Sequence, residues 1–192
     1  MNLTVPTILT LIRIALVPVL VLLFYLPFHW SNMACVTVFI LAAVTDIADG
    51  AIARSTGQTS RFGAFLDPVA DKIMVSTALV LLVARQDTHQ EVFAIASAVI
   101  IGREITISAL REWMSEIGES ARVKVSWVGK LKTIFQMTAI GFLLYGEDLG
   151  WIPVLLIGEL LLYTAAALTL WSMWNYLHAA WPVIRRNRGA TP

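Results

Sequence analysis

The sequence predicts an all-α integral membrane protein, a bundle of six transmembrane helices with both termini in the cytoplasm. Three observations carry that expectation. Of the 192 residues, 58% are hydrophobic and the mean hydropathy is +0.75, far above a soluble domain. The apolar residues gather into six stretches, near 7–28, 33–54, 62–84, 91–113, 128–146 and 152–181, and a span needs about 20 residues. Of the 14 Lys and Arg, all but Arg85 fall on or toward the side that a six-span chain gives to both termini. The positive-inside rule makes that side cytoplasmic. One domain over 1–192 is expected.

The first stretch begins at once and carries its first basic residue, Arg13, inside it. A secretory leader places basic residues before the apolar run, so 7–28 is expected as a retained helix. The next three stretches have short charge-free cores, such as Ile73–Ala84 and Val92–Gly102. They become spans only if their polar ends are helical too and line a cavity. The fifth opens on Lys130 and Lys132, and the sixth is uncharged from Leu160 to Ile184. Trp30 and Trp151 suit one interfacial belt, and Trp113, Trp127 and Trp181 the other. Arg185, Arg186 and Arg188 serve as a topology anchor. The single cysteine, Cys35, excludes an internal disulfide and a CxxC metal site. His29, His89 and His178 are scattered and form no ligand spacing.

Four aspartates interrupt this pattern: Asp46, Asp49, Asp67 and Asp71. A carboxylate inside a membrane costs about 3 kcal/mol on insertion scales, so four together need compensation. Bound Mg²⁺ or Mn²⁺ supplies it best, because carboxylate oxygens are their preferred ligands. Asp46 and Asp49 are three apart and Asp67 and Asp71 four apart, so each pair shares a helix face. The polar stretch Ser55–Ser60 between them reads as a turn. Two antiparallel helices would then present both pairs to one another, a layout able to clamp two metals about 4 Å apart for phosphoryl transfer. Gly50 and Gly63 flank the turn within helical pattern, where each costs about 1 kcal/mol relative to Ala. Close approach of a backbone or ligand explains both, as does tight helix packing. Arg54, one turn beyond Gly50, suits a phosphate or an interface anchor.

The spelling Asp46-Ile-Ala-Asp49-Gly50-Ala-Ile-Ala53-Arg54, eight residues, Gly63-Ala-Phe-Leu-Asp67-Pro-Val-Ala-Asp71 matches D-x-x-D-G-x-x-A-R-x8-G-x3-D-x3-D. On that signature the chain resembles the CDP-alcohol phosphotransferase family. Pro6–Arg13, Arg103–Trp113 and Val125–Thr133 further look like the bacterial branch that makes phosphatidylglycerophosphate, and extend the likeness over nearly the whole chain. Thr7 departs from the Asn that members often carry there.

The resemblance implies transfer of a phosphatidyl group from CDP-diacylglycerol to glycerol 3-phosphate, releasing CMP, in the bacterial inner membrane with the site facing the cytoplasm. It implies metal ligands Asp46, Asp49, Asp67 and Asp71, holding two Mg²⁺ or Mn²⁺, with Asp71 also the general base. Asp49, Gly50, Ala53, Arg54 and Gly63 would hold the CDP part. Arg103, Arg111 and Lys130 are assigned to the phosphate of glycerol 3-phosphate, where bidentate arginine contacts suit the anion. The roles of Arg13, Lys132 and Glu159 stay open, and Glu104 is expected to pair with one of the arginines. Membrane lipids are partners, the family tends to homodimers, and no nucleic-acid motif is present.

Two other classes compete. An ion transporter explains buried aspartates but not Gly50, Arg54 and Gly63 at fixed spacing, and only Glu159 is acidic toward the outer half of a span. Isoprenoid transferases use aspartate-rich motifs of different spacing. Within the family, inositol phosphate, serine or phosphatidylglycerol are alternative acceptors.

Overall fold

A computed structural model describes the backbone of residues 5–56, 61–85, 90–119 and 127–188, and the side chains of these except 5, 6, 50, 51, 53–56, 61, 62, 64, 65, 67, 128 and 186–188. Each apolar stretch is a helix: α1 Val5–Phe24, α2 Ser31–Thr56, α3 Arg61–Arg85, α4 Gln90–Glu116, α5 Trp127–Tyr145 and α6 Val154–Arg188. The polar ends of the middle stretches are helical, as an embedded cavity requires. Ser55 and Thr56 of the expected turn belong to α2, and 57–60 lie outside the described residues.

Local chemistry sets the ends. α1 stops at Phe24 in a turn closed by Leu26 N–H to Leu23 O at 3.2 Å, with Pro27 next. α4 ends in a Schellman motif: Glu119 N–H reaches Met114 O at 2.8 Å and Gly118 N–H reaches Ser115 O at 3.1 Å. Gly118 has φ +76°, a left-handed value that costs glycine nothing. α6 continues seven residues past the expected boundary, because charged residues end a span and not a helix.

The helices pack as a closed ring, α1 on α2 and α3, α3 on α4, α4 on α6, α6 on α5 and α5 back on α2; α3 also touches α5 and α2. The interior holds Leu20, Phe39, Leu79, Phe93, Ile140 and Leu162. A smaller cluster of Ile107, Met114, Tyr176, Ala180 and Val183, with Trp113 packed against it, joins the later halves of α4 and α6. Outward faces stay apolar, with Leu22, Val44, Ile95, Trp171 and Trp174 exposed. α1, α2, α4 and α6 are each long and apolar enough to cross a membrane. The chain is a multi-pass membrane protein.

Arg85 closes one end of the ring. It donates to Asn32 Oδ1 at 3.2 Å at the start of α2 and to the Leu143 carbonyl near the end of α5, and its guanidinium lies 5.3 Å from the Phe24 ring centre. Gly146 caps α5 at φ +70°, and a side chain there would run into that guanidinium. Arg85→Ala should therefore cost about 2–3 kcal/mol, from a charge-assisted bond to the carbonyl plus the ring contact. A thermal midpoint unchanged in detergent would contradict it.

Candidate functional site

Arg13 organises the opposite end of the ring. It lies on the buried stripe of α1 with Thr7, Thr10 and Leu20, facing α2 and α3, and is 1% exposed. Its Nη1 donates to Asp46 Oδ1 at 2.6 Å, and its Nη2 donates to Asp49 Oδ2. One forked guanidinium thus holds both carboxylates, which their spacing of three puts on one face of α2. Asp49 is buried (5% exposed side chain), whereas Asp46 is 46% exposed.

That exposure opens into a cavity of about 360 Å³, walled by Arg13 and Asp46 from α1 and α2, Asp71 and Met74 from α3, and Thr133 and Met137 from α5. Asp71 comes to the cavity one turn before Met74 and Val75, which turn into the core. A second, apolar groove of about 570 Å³ runs between α2 and α5 toward Met33, Tyr145 and Val154 at the far end. The two share Phe39, Ala43, Ile47, Met137 and Thr138 as wall. A charged head chamber therefore continues into an oily channel.

Beside the chamber lies a buried ionic cluster. Lys132 of α5, 2% exposed, donates to Glu104 Oε1 of α4, and Arg103 Nη1 stands 3.7 Å from the same oxygen. Arg103 Nη2 donates to Ser172 Oγ of α6 at 2.7 Å, and its guanidinium sits 5.5 Å from the Tyr176 ring centre. Its Nε finds no partner among the described residues. The charges of Glu104 and Asp71 are within electrostatic reach of one another.

The structure thus brings Asp46, Asp49 and Asp71 to one end of the bundle with Arg13. Gly63 is buried near the start of α3. The side chains of Ala53, Arg54 and Asp67, together with Gly50, lie outside the described set. Arg103 is buried, while Arg111 and Lys130 are exposed. Arg103 and Arg111 do not share a face: eight residues advance a helix about 80° beyond two turns, and it is Ile107 and Met114 that continue the buried stripe of Arg103. Glu159 is half-buried on α6.

Two participants were left open by sequence, Arg13 and Lys132. A signal for Lys132 was present, because Gln136, Ala139 and Leu143 continue its stripe at helical spacing and all are buried. Among the described side chains no three metal-ligating groups are assembled. The donor set nevertheless fits a divalent cation: Asp46 and Asp71 are hard oxygen donors on a shared, accessible cavity, and Arg13 engages only Oδ1 of Asp46.

The family model for CDP-alcohol phosphatidyltransferase matches residues 3–171. A protein of Yersinia pestis (strain Pestoides F) named CDP-diacylglycerol–glycerol-3-phosphate 3-phosphatidyltransferase is 53% identical over 181 residues, 94% of this chain and 97% of its own. A protein of the same name from Sodalis glossinidius (strain morsitans) is 53% identical over 180 residues, 94% and 96% of the two chains. Another from Pectobacterium atrosepticum is 52% identical over 183 residues, again 94% and 96%.

Proposed function

The chain belongs to the CDP-alcohol phosphatidyltransferase family, and from that membership we propose that it transfers the phosphatidyl group of CDP-diacylglycerol to glycerol 3-phosphate, releasing CMP. One observation carries the reading: the carboxylate chamber and the apolar groove share a wall. A lipid-linked pyrophosphate needs that pairing, with its charged head at the aspartates and an acyl chain along α2 and α5. The name shared by relatives of near-equal length supports the acceptor.

In this reading one hydroxyl of glycerol 3-phosphate attacks the phosphorus that bears the lipid. Its proton passes to Asp71, the bond from that phosphorus to the CMP oxygen breaks, and CMP leaves. A carboxylate is a weak base, so the fixed position of Asp71 on the chamber wall contributes much of the rate. Arg13 holds Asp46 and Asp49 together and aims them at one place. Asp49, Gly50, Ala53, Arg54 and Gly63 hold the CDP part. Arg111 and Lys130, exposed at the rim, attract the acceptor anion, and Arg103 binds its phosphate deeper in. Mg²⁺ or Mn²⁺, two per site on Asp46, Asp49, Asp67 and Asp71, would supply charge neutralisation of the pyrophosphate and the departing CMP.

We further propose that α3 and α5 span the bilayer as well, giving six spans with both termini and the site at the cytoplasmic face of a bacterial inner membrane. Residues 1–192 would form one domain and the protein a homodimer. The basic rim supports the orientation.

The test follows CMP release by purified protein in detergent, supplied with CDP-diacylglycerol, Mg²⁺ or Mn²⁺, and one acceptor at a time. Release should require glycerol 3-phosphate, stop with EDTA and return with excess metal. Release on inositol phosphate, serine or phosphatidylglycerol instead would keep the chemistry and overturn the acceptor. No release with any acceptor, from folded protein, would overturn the transfer reading itself.

A further inference from the structure

The cluster beside the chamber carries an imbalance. Two cations, Lys132 and Arg103, share one carboxylate oxygen of Glu104, and the remaining described contacts of Arg103 are the neutral Ser172 hydroxyl and the Tyr176 ring. Among the described residues the buried Nε of Arg103 has no partner. Lys132 is 2% exposed and Arg103 8%, so the surplus positive charge is held out of water. Buried surplus charge is costly unless further counter-charge arrives. Glu104 is the least buried of the three, with 22% of its side chain exposed, and so the one with room to withdraw.

Resting on the acceptor reading above, we infer that Glu104 is an internal occupant of the acceptor's phosphate site, holding Lys132 and Arg103 until a phosphate dianion displaces it. Charge decides the exchange. With Glu104 in place the ion-paired cluster carries two positive charges against one negative, and the next carboxylate within electrostatic reach, Asp71, belongs to the chamber wall. With Glu104 withdrawn and a phosphate dianion in its place, the charges cancel. The dianion also offers enough oxygens for the unpartnered Nε, the Lys132 ammonium and the Nη1 that now only approaches Glu104. An acceptor without phosphate, such as serine, brings at most one carboxylate and cannot cancel both charges, so Glu104 sets a threshold that a phosphorylated acceptor passes. The site also includes Lys132, left open by the sequence, two residues past the exposed Lys130 and on the buried side of α5. Thr133, the next residue, is already on the chamber wall with Asp71, so a phosphate held here leaves its glycerol hydroxyls beside the carboxylate that would take the proton.

The experiment measures inorganic phosphate binding to the full-length protein in detergent, from the rise in thermal midpoint and from competition against glycerol 3-phosphate in the CMP assay. Removing an internal competitor returns the fraction of sites it occupies. Glu104→Gln should therefore bind phosphate about fivefold or more tightly than wild type, with KM for glycerol 3-phosphate falling alongside and KM for CDP-diacylglycerol unchanged. Lys132→Gln should lose the phosphate response. A Glu104→Gln protein recovered folded only in phosphate supports the inference. If it does not fold with or without phosphate, Glu104→Asp, too short to hold Lys132 in the same way, takes its place. Phosphate affinity in the folded variant equal to or weaker than wild type overturns the inference and leaves Glu104 a structural partner. Wild-type protein that releases CMP with no phosphorylated acceptor would strike the acceptor reading instead, which the thermal arm does not depend on.

Discussion

Asp71→Asn abolishes acceptor-dependent CMP release while leaving the fold intact. The expected loss is about 10³-fold or more, within the range for removing a positioned general base and enlarged by any share in metal binding. Stability should change by less than about 1 kcal/mol, because Asp71 opens to the chamber and the core contacts of α3 are made by Ala70, Met74 and Val75. The two roles separate on a metal titration. If Asp71 only ligates, raising Mn²⁺ restores much of the rate to Asp71→Asn. If it accepts the proton, activity stays low at saturating metal. A variant retaining a tenth of wild-type turnover would remove Asp71 from the chemistry.

The sequence made the helices legible because each apolar stretch is also a helix, and it made the carboxylates legible because their spacing is local. What it left open was set by packing between distant segments. Arg13 stood out as a charge inside an apolar run, but its partners lie 33 and 36 residues away and meet it only because α1 packs on α2. The choice between Lys130 and Lys132 depends on how α5 is rotated. Two residues apart on a helix point about 160° away from each other, and only Lys132 shares the stripe of Gln136, Ala139 and Leu143. Arg103 and Arg111 come out on different faces of α4 for the same reason, a rotation that spacing of eight hides. Helix ends were misjudged where hydropathy and helicity part company: Pro27 and its turn stop α1 early, and a charged tail carries α6 to Arg188.

Arg13→Met is expected to be the most destabilising single change at the site. It removes a 1% exposed guanidinium from two carboxylates, one of them 5% exposed. Breaking such a buried pair from one side costs about 3–5 kcal/mol. At about 3 °C per kcal/mol for a chain of this length, the thermal midpoint should fall by roughly 10–15 °C. Arg13→Lys should fall between, because an ammonium lacks the fork that reaches Asp46 and Asp49 together. Neutralising Asp49 as well should recover part of the loss, so the Arg13→Met, Asp49→Asn double variant is more stable than the sum of the singles predicts. Added Mg²⁺ or Mn²⁺ should raise the midpoint of Arg13→Met by more than that of wild type, since a cation on the same carboxylates replaces the missing charge. If Arg13→Met unfolds within a degree or two of wild type, the guanidinium is not what holds the aspartates, and the charge balance of the chamber must be sought elsewhere.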